Sequence, residues 1–211
     1  MEILMKEFVK IYGKRYSHQL AIDVRKEPFK WLLASILFAA PIRESTAMKT
    51  YRVFEKYGYT TPSKILEAGW DEIVRCLDEG GYTRYDFKTA DKILEVCRNL
   101  AKEGLQEIYE KAKDGKDLEN KLKNLAKGIG DATISIFLRE MDVWEKATHP
   151  ISKYAEMAAK NLGLWKNGLR KVEGVDEVEL EIALMKLGRD YCRKGKCNRC
   201  PLKSLCINEL Q

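Results

Sequence analysis

Apolar residues recur along this chain at the spacing of amphipathic helices. The segment 86–104, DFKTADKILEVCRNLAKEG, sets Ala90, Ile93, Leu94, Cys97 and Leu100 on one stripe and ends at Gly104. In TTPSKILEAG, Thr61 precedes Pro62 at a first-turn position and Gly69 supplies the stop. WDEIVRCLDEGG repeats that scheme and closes on Gly80 and Gly81, while DLENKLKNLAKG carries Leu118, Leu122 and Leu125 into Gly128. Further helices are predicted at 2–12, 29–40, 43–57, 151–162 and 177–189. No segment alternates with the period of two that a half-buried strand needs, and all five prolines fall at element boundaries. The pattern predicts an all-α protein.

With 211 residues, 45% hydrophobic and 33% charged, the chain has the composition of a folded protein with a sizeable core. Its longest apolar run, WLLASILFAAPI at 31–42, falls short of the roughly 18 residues that span a bilayer. The first residues mix charge and apolar side chains at helical spacing, unlike a secretory signal. A cytoplasmic protein is expected, nucleoid-associated if prokaryotic. The net charge of +6 is concentrated late in the sequence. Lys186, Arg189, Arg193, Lys194, Lys196, Arg199 and Lys203 face a single acid, Asp190, in that stretch. A local basic patch of this kind points to a polyanion, with nucleic acid first.

The six cysteines divide by context. Cys76 and Cys97 lie on apolar helix faces, as buried small hydrophobes do. Cys192, Cys197, Cys200 and Cys206 crowd into CRKGKCNRCPLKSLC with spacing C-x4-C-x2-C-x5-C, where interleaved Gly, Lys and Arg leave no apolar face. Disulfides are not expected in a cytosolic chain, so the four predict a metal centre. Structural four-cysteine zinc sites usually pair two C-x2-C knuckles. One compact loop with a single knuckle better suits a [4Fe–4S] cluster, with zinc as the alternative.

Between two helical segments stands NLAKGIGDATISIF. Gly128 and Gly130 allow a tight turn and close approach of the backbone to a phosphate, and Ile129 pins the turn to the core. The amides around Gly130 to Ala132 open the next helix and suit an anion. Lys127, just before the turn, is a candidate phosphate contact, and Asp131 a candidate helix cap. Lys194, Lys196 and Arg199 in the cysteine loop are further phosphate candidates.

This hairpin, followed about sixty residues later by a four-cysteine loop, resembles the endonuclease III family of the helix-hairpin-helix DNA glycosylases. The similarity extends to FKWLLASILFAAPIRESTAMKTYRVFEKYG, which looks like the family's first barrel helix, wedge loop and following helix, and to KATHPISKYAEMAAKNLGL. It implies a six-helix barrel over 29–142, a second lobe from 1–28 and 143–190, and a cluster loop at 191–211. It also implies a monomer that binds double-stranded DNA, rotates a damaged nucleotide into a pocket between the lobes and excises the base. The wedge loop would be 39–43, with Ile42 or Arg43 entering the base stack. The first cysteine gap is shorter than the family's usual one.

Two family residues are missing. The Schiff-base lysine position holds Ala132, which implies a monofunctional glycosylase. The catalytic aspartate position holds Ala147, or Thr148 in a shifted alignment. Asp142, Glu145 or Asp131 are candidate replacement acids, and Lys127 or Lys153 a replacement nucleophile. His149 is a candidate base, and Tyr82, Tyr85 and Trp144 are candidates to stack on an extruded base. A non-catalytic lesion-binding protein and an AP lyase using a different lysine remain alternatives.

Overall fold

A computed structural model describes residues 2–207. Among them eleven α-helices form: α1 (Glu2–Tyr12), α2 (Tyr16–Gln19), α3 (Pro28–Phe38), α4 (Glu44–Lys56), α5 (Pro62–Gly80), α6 (Asp86–Leu100), α7 (Leu105–Lys111), α8 (Gly115–Lys123), α9 (Asp131–Glu140), α10 (Lys153–Asn161) and α11 (Glu177–Asp190). Three single-turn 3-10 helices follow in the cysteine loop, and a lone bridge between Trp165 and Leu169 is the sole β pairing among the described residues. The protein is all-α, as its periodicity predicts. No helix among the described residues is long and apolar enough to cross a membrane.

The helices gather into two compact units. One is Leu20–His149, and the other joins 2–19 to 150–207. Segments 20–28 and 143–149, which the sequence assigns to the second lobe, therefore pack with the helices of the larger unit.

In the larger unit α3 is the hub. Its residues from Trp31 through Leu37 are all buried, so it is apolar on every side, as a central helix is. It packs on α4, α6 and α9. Its polar groups are satisfied across the core. Trp31 Nε1 donates to the Phe137 carbonyl at 3.0 Å, and the Tyr82 hydroxyl donates to the Leu37 carbonyl at 2.6 Å. Tyr82 thus braces the end of α3 from inside and cannot stack on a base. The cap signals read from sequence operate as expected in α5, where the Thr61 hydroxyl accepts from the Lys64 amide and Pro62 opens the helix. Gly69, at φ +79°, breaks that helix in two where the sequence places its stop.

Helix α6 is shorter than the sequence suggests. It ends at Leu100, and Gly104 instead caps the start of α7, a seven-residue helix anchored by Leu105 and Ile108. In the smaller unit α1, α10 and α11 share a core of Met5, Phe8, Val9, Leu180, Leu184 and Leu187. Ala155, Ala158 and Ala159 keep α10 thin, and the Gly188 backbone of α11 meets the Tyr154 carbonyl so closely that a Cβ there would lie 2.0 Å from it.

Candidate nucleic-acid interface and metal centre

Helices α8 and α9 form the hairpin. Asp114 caps α8 by accepting from the Asp117 amide. The chain then turns through 124–130, with Leu125, Ala126 and Ile129 buried beneath it. The Ile129 amide donates to the Ala126 carbonyl at 3.1 Å, and the Lys127 amide to Glu95 Oε2 at 3.0 Å. Across the turn Lys123 Nζ reaches both Glu119 and Asp131 at 2.5 Å, tying the end of α8 to the start of α9. Hydrogen bonding to Asp131, then to Glu119, raises the Lys123 ammonium above its ordinary range.

The two glycines have different physical reasons. Gly128 sits at φ +89°, a left-handed conformation that glycine adopts without strain. Gly130 is extended, at φ −112° and ψ −173°, and a Cβ there would meet nothing within 4 Å. The protein's own packing therefore does not require glycine at 130. Gly130 is also the N-cap of α9, without a side chain to accept from the first turn. The amides of Asp131, Ala132 and Thr133 have no acceptor among the described residues. Asp131 is accordingly not a cap: it is the first helical residue, mostly exposed, with its carboxylate on Lys123.

Beside the hairpin lies a cavity of about 270 Å³. Ala39, Ala40 and Pro41 of the loop after α3 form one wall, and Gly128, Gly130 and Ala132 form another. Lys88 and Lys92, one turn apart on α6, close a third together with Tyr85 and Thr89. The sequence singles out neither lysine. Lys92 is half-buried against the hairpin, where a Cβ on Gly128 would sit 3.1 Å from its Cε and 3.6 Å from its Nζ. It has no ion pair or hydrogen bond among the described residues. Burial holds its ammonium below the usual lysine range.

The other predicted residues distribute unevenly. Ile42 is half-buried and Arg43 exposed as the N-cap of α4. Asp142 and Glu145 are exposed beyond α9, and no carboxylate among the described residues lines the hairpin cavity. Lys153 is exposed at the start of α10, with its Nζ 5.4 Å from the Tyr154 ring centre. The segment carrying Ala147 and Thr148 is built as a brace. Trp144 is 7% exposed and stacks on Tyr109 at 4.7 Å, which removes it from base stacking. Lys146 Nζ donates to the Ala112 carbonyl at 2.6 Å and the Tyr109 carbonyl at 3.2 Å, capping the end of α7. Thr148 packs on Gly115, where a Cβ would lie 2.1 Å from its Oγ1. His149 is half-buried and engaged in its surroundings.

In the smaller unit the four late cysteines converge. Cys192, Cys197, Cys200 and Cys206 line one cavity of about 70 Å³, with Asn161 and Tyr191. Leu202 is fully buried and holds the loop on the α10–α11 core, with Cys192, Cys200 and Leu205 packed around it. Gly195 turns the loop at φ +61°. No group of three or more His, Cys, Asp or Glu side chains among the described residues is arranged to hold a metal ion. The four thiols lining this cavity are the donor type that an iron–sulfur cluster takes. Cys76 and Cys97, by contrast, are buried among apolar residues, and burial pushes their thiols up to about 11 and about 12.

The basic residues of this loop are partly committed. Arg189 makes two hydrogen bonds to Asp190, at 3.0 and 2.7 Å, which hold that carboxyl below its usual range. Lys194 lies 3.7 Å from the same carboxylate, and Arg193 donates to the Tyr154 hydroxyl at 2.8 Å. Lys196 and Arg199 are exposed and make no ion pair among the described residues. These two are the loop's available cations. Neither the protein-family models nor the curated proteins contain a match to this chain.

Proposed function

We propose that this is a DNA repair protein of the endonuclease III type, which binds duplex DNA and excises a damaged or mismatched base. The carrying observation is the pairing of Gly128–Ile129–Gly130 with an uncapped α9 N-terminus beside two lysines. Three free amides and the helix dipole suit a phosphate oxygen, and an open Gly130 lets that phosphate come close. Lys127, Lys88, Lys196 and Arg199 add sequence-independent attraction. Ile42 or Arg43 would occupy the space left by an extruded nucleotide.

The four cysteines would hold a [4Fe–4S] cluster that fixes the shape of the basic loop. Its role here is structural, since the loop has little other means of holding Lys196 and Arg199 in place. One observation favours a second reading, lesion binding without excision. Among the described residues the hairpin cavity has no carboxylate to stabilise the cation that develops at C1′ as a base departs.

A panel of duplexes with single lesions separates the two. With uracil, an oxidised pyrimidine, hypoxanthine and 8-oxoguanine each tested, release of one base is expected. Tight binding with no release from any would establish the lesion binder, and no binding to any duplex would end both readings.

A further inference from the structure

The hairpin cavity holds a group that phosphate binding does not use. Lys92 projects from α6 against Gly128, half-buried and without an anionic partner among the described residues, in a cavity whose other walls include Ala39, Ala40, Gly130 and Ala132. A lysine meant only to attract phosphate gains nothing from such burial, because a hydrated ammonium on the surface does that better. Surface lysines are abundant here, and Lys88 already supplies charge at the mouth of the same cavity. What burial without a partner does provide is a larger fraction of free amine. That is the state in which lysine attacks a carbonyl. Ala132 contributes to the same result, since a long side chain there would compete for the cavity that Lys92 enters.

We infer that Lys92 is a nucleophile toward an aldehyde flanked by phosphates, the ring-opened sugar of a DNA site that has lost its base. The identity of that substrate rests on the DNA-binding reading above. The free Nζ adds to the C1′ aldehyde; a C–N bond forms and the carbonyl oxygen leaves as water, giving an iminium. The iminium acidifies C2′. Loss of one C2′ proton to water then drives the electron pair toward C3′, the C3′–O bond breaks, and the 3′-phosphate departs. Water hydrolyses the imine, releasing an unsaturated aldehyde and restoring the amine. The anionic leaving group departs near Lys88 and the open amides of α9.

The test is reductive trapping with borohydride, using the full chain and two probes. One is a duplex with a single abasic site, and the other is free 2-deoxyribose 5-phosphate. Peptide mass mapping locates the adduct, and anisotropy measures duplex binding separately. A covalent adduct at Lys92 is expected with both probes, lost by at least about tenfold in Lys92→Arg, where charge persists without a nucleophilic amine. Lys64→Arg, at an exposed position near the start of α5 and outside the lining of the hairpin cavity, should trap normally. Because the adduct is mapped in the unaltered protein, a misfolded Lys92→Arg would not spoil the result. Duplex binding with no adduct at Lys92 from either probe overturns the nucleophile and leaves the DNA reading standing. An adduct confined to other lysines also overturns it. Labelling of Lys92 by the sugar phosphate with no duplex binding keeps the nucleophile and removes the DNA reading.

Discussion

Replacing Cys200 with alanine is expected to abolish absorbance near 400 nm and to loosen the whole loop after α11. The loop has almost no regular structure to fall back on. Three isolated 3-10 turns, each closed by short-range backbone hydrogen bonds, span a stretch whose residues 193–199 are all exposed. Its anchorage is Leu202, with Leu205 and two of the cysteines beside it. Burial of one leucine contributes about 2 kcal/mol. Ordering one residue's backbone costs roughly 1–2 kcal/mol, so this anchorage cannot fix fifteen. Metal coordination is folding energy in such a case, on the order of 10 kcal/mol for small thiolate sites. Losing one ligand should therefore lower the melting temperature of the smaller unit by about 10 °C or more. Backbone amides of the loop should lose their protection in hydrogen exchange. Iron and sulfide analysis of the purified protein is the direct check. A colourless protein carrying stoichiometric zinc would overturn the cluster assignment, and unchanged exchange in Cys200→Ala would remove the metal's structural role.

Replacing Gly130 with threonine separates grip from fold. The extended backbone at 130 accepts a β-branched residue, and its Cβ would enter open space. Threonine is also about as good an N-cap as glycine, so stability should change by less than about 0.5 kcal/mol. Yet the new side chain would stand where the phosphate approaches, and its hydroxyl would take up an amide of the first turn. Hydrogen bonds to a charged group are worth about 1.5–3 kcal/mol each. Duplex affinity should thus fall roughly ten- to a hundredfold, with the thermal melt unchanged. Equal affinity in Gly130→Thr would mean that the α9 amides do not contact DNA. Gly128→Thr is a less informative change, because φ +89° penalises it in the folded state whatever binds there.

Much of the fold is legible in sequence because the helices carry their own punctuation. Thr61–Pro62, Gly69 and Gly81 act through local backbone chemistry that needs no tertiary context. Helix α7 escapes that reading because it has under two turns and two buried residues, too few for a period to register. Gly104 misleads for a related reason, since glycine suits both the end of one helix and the cap of the next. The cysteine spacing points to a shared site directly, and the four side chains do line one cavity.

The chemistry is less visible. On the α6 pattern Lys92 stands next to the apolar stripe and reads as an ordinary flanking lysine. Its burial arises only where Gly128 lays the hairpin against it, a contact between residues 36 positions apart. The replacement acids fail in the opposite direction. Asp142 and Glu145 follow the hairpin closely in sequence, but the chain leaving α9 exposes both instead of returning them to its cavity. Lys146 and Thr148, beside the vacant aspartate position, are engaged in closing the end of α7 and the start of α8. Their neighbourhood is occupied by packing.

The claim on which the rest depends is that the protein holds duplex DNA by its phosphates. Anisotropy titration of a fluorescent duplex between 50 and 300 mM salt measures this. With Lys88, Lys127, Lys196 and Arg199 as the contacting cations, log affinity should fall against log salt with a slope of about −4. The same affinity should hold, within a few-fold, for undamaged duplexes of unrelated sequence. A slope near zero, or no binding at the lowest salt, would contradict phosphate binding and with it the proposed function.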